Sequence, residues 1–143
     1  MGDVIALILE NEYFKLYTID HNIYIDSQPI ANQEKYVSDA VLSREEKIKR
    51  IDQLLEYFFN LWKVIESGHD KIYTLNFNIE KVMFHVPMEC YFKIKKTFES
   101  LNTIFEKYLK ETYVRVDNDI MKHFFDLILK LYKPIKPVHI YKS

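Results

Sequence analysis

Between Ser43 and Glu66 the apolar residues Ile48, Ile51, Leu55, Phe58, Trp62 and Ile65 recur at steps of three and four. That spacing is one stripe of an α-helix, and Leu54, Phe59, Leu61 and Val64 widen it. Ser43 with Glu46 makes a capping box at the start, and Gly68 is placed to take a left-handed turn at the end. A helix this long and this broadly apolar is something for the rest of the chain to pack against.

Ahead of it, residues 4–9 (VIALIL) are continuously apolar, the pattern of a strand covered on both faces and central in its sheet. Phe14, Leu16 and Thr18 then alternate with Tyr13, Lys15 and Tyr17, and the turn Asp20-His21-Asn22 leads into a short strand at 23–25. The three predict an antiparallel meander. Residues 26–38 read as a loop, with the long helix starting as early as Ser38 or Asp39. Beyond Gly68, Tyr73, Leu75, Phe77 and Ile79 alternate with Ile72, Thr74 and Asn76, and Glu80-Lys81 turns the chain into VMFHV, a hairpin at 72–86. Pro87 suits the first turn of a helix. The stripe Tyr91, Ile94, Phe98, Leu101, Phe105 and Tyr108 carries that helix from about 88 to 110. YVRV at 113–116 reads as a β-rich connector, and Asp117 or Asn118 caps a third helix to about Tyr132. Pro134 and Pro137 end it, leaving an extended tail at about 133–143.

The predicted order is βββ-α-ββ-α-α: an α+β fold with an antiparallel five-stranded sheet, one long central helix and two C-terminal helices. A first strand buried on both faces, between the second strand and residues 82–86, calls for α/β/α layering; a two-layer sandwich is the alternative. The order of elements resembles that of longin- and profilin-like folds, a likeness of topology with no motif behind it. At 143 residues the chain is one domain, 1–143, with enough length to bury a core unaided. It has no repeat, and no apolar run approaches the roughly 18 residues of a membrane span. No basic segment precedes the first apolar run, so it does not read as a signal peptide. The single cysteine, Cys90, excludes an internal disulfide and points to the cytoplasm.

Two biases change the picture. Gly2 and Gly68 are the only glycines, where average usage of about 7% would give about ten. Loops that bring backbone amides onto phosphate rely on glycine, and no GxSxG, GxxxxGK[ST] or GxGxxG occurs. Lys, Ile, Tyr, Phe, Asn and Met outweigh Gly, Ala, Arg and Pro, the mark of an AT-rich genome such as a low-GC bacterium, a phage or a large virus. Charge is also uneven: residues 1–39 hold seven acids and two bases, residues 113–143 six bases and three acids.

Candidate chemistry is sparse. Asp119 and His123 share a helix face, beside Asp117-Asn118, and that spacing can hold a metal or orient an imidazole; the competing reading is helix capping. Met121 and Lys122 exclude an EF-hand loop. Cys90 and His85 form a possible nucleophile and base, against the commoner role of a lone cysteine as a small buried hydrophobe. Tyr91, Phe92, Lys93, Lys95 and Lys96, with Lys130, Lys133, Lys136, Lys142, Tyr132 and Tyr141, interleave rings and charge as single-stranded nucleic acid requires, yet the net charge of −1 lacks a basic footprint.

Tyrosines beside the core-facing positions, set in an acidic N-terminal region, fit a binding face better than a reaction centre. The expectation is a small non-enzymatic cytoplasmic protein-binding module, of the inhibitor, immunity or counter-defence kind. It would occlude a partner's surface through Glu12, Tyr13, Tyr17, Asp20, Tyr24 and Asp26. The partner is another protein, basic in charge, or a second copy; no cofactor, metal or membrane is called for. The alternatives are nucleic-acid binding by the basic C-terminal part, and a small enzyme using His123/Asp119 or Cys90/His85.

Overall fold

A computed structural model describes residues 5–32, 37–38, 42–68 and 71–143. The elements are β1 (Ile5–Glu10), β2 (Lys15–Ile19), β3 (Asn22–Asp26), a short α1 (Gln28–Ala31), β4 (Val37–Ser38), α2 (Arg44–Gly68), β5 (Tyr73–Ile79), β6 (Val82–Met83), α3 (Met88–Ser100), α4 (Asn102–Tyr108), β7 (Leu109–Val116), α5 (Asp119–Leu131) and β8 (Val138–Lys142). The fold is α+β. Its main sheet has six strands in the order β1-β2-β3-β5-β7-β8. The meander β1-β2-β3 is antiparallel, whereas β3, β5, β7 and β8 are parallel neighbours.

Several expectations change. The sheet has six strands rather than five and is mostly parallel. YVRV belongs to a full strand, β7, and the tail supplies β8. The first strand lies at the sheet edge, not between β2 and residues 82–86, so the likeness to longin- and profilin-like topology goes with it. VMFHV adds no hairpin partner to β5; Val82 and Met83 pair instead with β4. The helix expected from 88 to 110 breaks at Leu101 and ends at Tyr108. Gly68 is the last residue of α2 but not left-handed: among the described residues Asp20 (φ 51°) and Lys81 (φ 60°) take that conformation. Asp tolerates it in a two-residue hairpin turn, which is where Asp20 sits, between Ile19 and its partner Asn22.

The chain's chemistry explains the local starts. Ser43 Oγ accepts from the Glu46 amide at 3.1 Å, opening α2. Asn118 Oδ1 accepts from the Met121 amide at 3.0 Å, opening α5, while its Nδ2 donates to the Val82 carbonyl at 2.9 Å. Asp117 receives the Lys81 amide at 3.0 Å, which ties the left-handed residue after β5 to the end of β7.

Each parallel step runs outward in the same direction, from β3 to β5 to β7 to β8. Right-handed crossovers taken in one direction lay their helices on one face. Burial agrees: Ile23, Ile25, Leu75, Ile79, Val114 and Val116 belong to the core cluster, and the alternate positions Tyr24, Asn76, Tyr113 and His139 do not. The fold is therefore two-layered, and the α/β/α expectation is corrected. The helix layer meets in an aromatic seam. Trp62 of α2, fully buried, stands edge-on to Phe105 of α4 at 5.0 Å. Phe58 stacks on Phe98 of α3 at 5.4 Å, and Phe98 meets Tyr132, just past α5, at 5.4 Å. Trp62→Ala removes the centre of this seam and is expected to cost about 3–5 kcal/mol, read as a lowered urea midpoint at unchanged slope. A loss under about 1 kcal/mol would contradict the seam's role.

Candidate functional site

Because no described helix packs on the second face of the sheet, that face is built from the outward side chains of its six strands in register. One row runs Leu7, Tyr17, Tyr24, Asn76, Tyr113, His139. Beside it runs Lys15, Asp26, Asn78, Arg115, Tyr141. On the other side lie Ile19, Asn22, Thr74 and Glu111.

The rings gather in two groups. On the meander, Tyr17 and Tyr24 stack at 5.1 Å with planes 14° apart, and Lys15 Nζ lies 4.9 Å from the Tyr17 centroid. Burial, then the hydrogen bond to the Asp26 carboxylate, pushes the Tyr17 phenol up to about 12. Asp26 also accepts from the Gln28 amide at 3.0 Å. On the other flank, Tyr113 stacks between His139 at 5.1 Å and Tyr141 at 6.3 Å, with the Arg115 guanidinium 5.9 Å from the Tyr141 ring. The Tyr113 hydroxyl donates to Glu111 Oε1 at 2.9 Å, and that bond leads the rise in its pKa. His139 Nε2 shares the same oxygen at 3.1 Å.

Between the groups lies β5. Two interstrand spacings separate Tyr24 from Tyr113, about 10 Å. The intervening Asn76 Nδ2 makes only long contacts, 3.3 Å each to Asn22 Oδ1 and to the Ile23 and Thr74 carbonyls. The Thr74 and Asn78 side chains bond to none of the described residues. The face thus offers two ring stacks around a strip of amide and hydroxyl side chains, Thr74, Asn76 and Asn78.

Of the six residues expected to bind, the structure brings Tyr17, Tyr24 and Asp26 together on this face. Asp20 sits in the β2–β3 turn. Tyr13 is corrected: it is buried against Phe14 and Phe84 and donates to Glu46 Oε2 at 3.4 Å. Glu12 is exposed but ion-paired with Arg50 of α2. Asp26 is only 8% exposed, so it supports the surface rather than presenting charge. Tyr113, His139, Tyr141, Arg115 and Asn76 were missed as a group. The alternation in ETYVRV and VHIYK, with Thr112, Val114, Val138 and Ile140 facing inward, was the available signal.

The other candidates disperse. Asp117 holds the Lys81 amide, Asn118 caps α5, and Asp119 pairs with Lys142 at 3.1 Å. His123 is exposed on α5. Cys90 is fully buried, and burial pushes its thiol up, the reverse of what a nucleophile needs; His85 is exposed. Among the described residues no group of three or more His, Cys, Asp or Glu could hold a metal ion. Of the basic residues, Lys93 pairs with Asp52 at 2.9 Å and Lys95 with Glu99 at 3.6 Å, while Tyr91 is buried against Phe124. Between the two layers lies a cavity of about 130 Å³, whose lining is apolar apart from Thr112, Tyr132 and Lys136. Among the described residues no helix is long and apolar enough to cross a membrane.

No protein-family model matches this sequence, and no curated protein or solved structure matches it.

Tyr17 and Tyr132 both carry phenols raised to about 12, each chiefly by burial. Their folded values lie above the ordinary value of 10.0, so their contribution to stability is complete below about pH 10 and is lost as pH rises towards about 12. Urea midpoints measured from pH 9 upward are expected to hold to about pH 10 and then fall. Midpoints that stay level up to pH 12 would contradict these environments.

Proposed function

We propose that this chain is a non-enzymatic protein-binding module whose working surface is the uncovered sheet face. The observation that supports this reading is the pair of ring stacks, Tyr17/Tyr24 and Tyr113/His139/Tyr141, on either side of the polar strip of β5. Tyrosine and arginine dominate the energetic centres of protein interfaces, because they bury area while keeping a polar tip. Rings already stacked in rows lose little side-chain freedom on binding.

Charge selects between protein and nucleic acid as the partner. Among the described residues, Lys15 and Arg115 are the cations in these rows, each lying against a tyrosine ring, and Asp26 and Glu111 stand beside them. A face balanced in this way neutralises few phosphates, and protein is the partner it suits. The same balance revises the expectation of a basic partner held by an acidic meander: rings and amides, rather than Glu12 and Asp20, select the partner. Occlusion of a working surface, as inhibitors and immunity proteins do it, asks only for a face of this kind. The reduced, buried Cys90 suits a cytoplasmic setting.

The test is affinity purification from the native host with wild type and variants in parallel. Tyr24→Ala and Tyr113→Ala are each expected to reduce recovery of a stoichiometric protein partner about 10-fold or more, with an unchanged circular dichroism spectrum. Charge reversal at Glu12 or Asp20 is expected to change recovery less than about 3-fold. Equal recovery across all variants, or salt-sensitive retention of the protein on a polyanion column, sinks this reading.

A further inference from the structure

The polar groups in the lining of the interlayer cavity are gathered at one end. The cavity, about 130 Å³, lies between the helix layer and the inward side chains of four strands, from Ile25 of β3 to Val138 and Ile140 of β8. Three interstrand spacings cover about 14 Å, so a space of this volume is a narrow slot rather than a round hole. Ile135, 44% exposed, is the member of the lining most open to solvent, which puts the mouth at the turn between α5 and β8. Lys136 follows it in the chain. The Thr112 amide donates to the Pro137 carbonyl at 2.9 Å, and this bond holds Thr112 beside Lys136 at the same mouth.

Tyr132, the third polar group of the lining, is engaged: its hydroxyl donates to Asn102 Oδ1 at 2.6 Å. The other two are not engaged in this way. Thr112 is 7% exposed, and its hydroxyl bonds to none of the described residues. Among the described residues no acid pairs with the Lys136 ammonium. Away from the mouth the lining is apolar, with Leu75, Phe77 and Val114 from the sheet and Phe125 and Ile128 from α5. Water finds no hydrogen bonds along such a lining, whereas an apolar molecule of about six carbon atoms suits a cavity of this size and gains dispersion contacts on every side.

We infer that this slot is a binding site for a short-chain carboxylate, its chain lying between α5 and the sheet and its carboxylate at the mouth, on Lys136 and the Thr112 hydroxyl. The lining selects each part of that ligand. A chain rather than a ring follows from the proportions of the slot. The acid group follows from Lys136, the one cation in the lining, and from a neighbouring hydroxyl able to donate. An amine of the same length would bring like charge to the ammonium, and a carboxylate without a chain would leave the apolar lining untouched. The site lies on the helix side of the sheet, so it is separate from the open face proposed to bind protein.

Titration of the full chain with hexanoate, hexylamine and acetate at neutral pH tests this. Trp62, the one tryptophan, touches Phe58 and Phe105 of the lining, so its emission reports occupancy; a rise in the thermal midpoint is the second readout. Hexanoate is expected to give a saturable response, half-complete at about 1 mM or below. Hexylamine and acetate are expected to bind at least about 10-fold more weakly. Lys136→Gln, at the mouth, and Thr112→Val, nearly equal in size, should each weaken hexanoate about 5-fold or more without altering the circular dichroism spectrum. Tyr24→Ala, on the open face, should leave hexanoate binding as it is. No saturable response to hexanoate in either readout up to about 20 mM overturns the inference. So does equal binding of hexanoate and hexylamine, binding that survives both mouth variants, or binding that Tyr24→Ala removes.

Discussion

The structure depends on the direction in which its strands are added. From β3 onward every parallel strand joins the same side of the growing sheet, and the preference for right-handed crossovers then leaves no choice of face for α2, α3–α4 and α5. A doubly wound sheet reverses direction and covers both faces; this one does not. The apolar side chains of β3, β5, β7 and β8 are consumed on the helix side, and the aromatic and amide side chains appear on the other. One topological constraint thus decides which half of each strand is core and which is surface.

The same constraint separates the packed core from the open face. Trp62, Phe58, Phe98 and Phe105 hold the helix layer, while Tyr17, Tyr24, Tyr113 and Tyr141 stack among themselves without belonging to that core. Residues on the open face are free of the demand for close packing that fixes core side chains. The small number of glycines is consistent with this division. Asp20 and Lys81 take the left-handed positions of the tight turns, and a flat face needs no glycine-lined cradle.

Local structure was legible in the sequence to an unequal degree. α2 and α5 announced themselves through stripe and cap, because helix periodicity and capping are local. The break at Leu101 was hidden, since Tyr91, Ile94, Leu101 and Phe105 keep their spacing across it and pack inward on both sides. β7 and β8 were misread because Glu111, Arg115 and His139 on the outward positions, with Pro137 just ahead of β8, disguise strands whose inward positions are Thr112, Val114, Val138 and Ile140. VIALIL misled in the other direction: an unbroken apolar run is the pattern of a central strand, yet Leu9 faces the core and Leu7 faces solvent, with a register shift between them. Half of the open face was therefore visible, as Tyr17 and Tyr24. The other half waited on the neighbour relations of β5, β7 and β8, which residue periodicity does not encode.

Among the described residues no helix packs on the outward face of the main sheet, and its tyrosine rings stand open. Hydroxyl-radical footprinting of the purified chain, read tyrosine by tyrosine by mass spectrometry, tests it most directly. Tyr24, Tyr113 and Tyr141 are expected to oxidise readily in the native protein, while Tyr13, Tyr73, Tyr91 and Tyr132 oxidise only after unfolding. Native protection of Tyr24 and Tyr113 equal to that of Tyr132 would mean that the face is covered, and the account would fail.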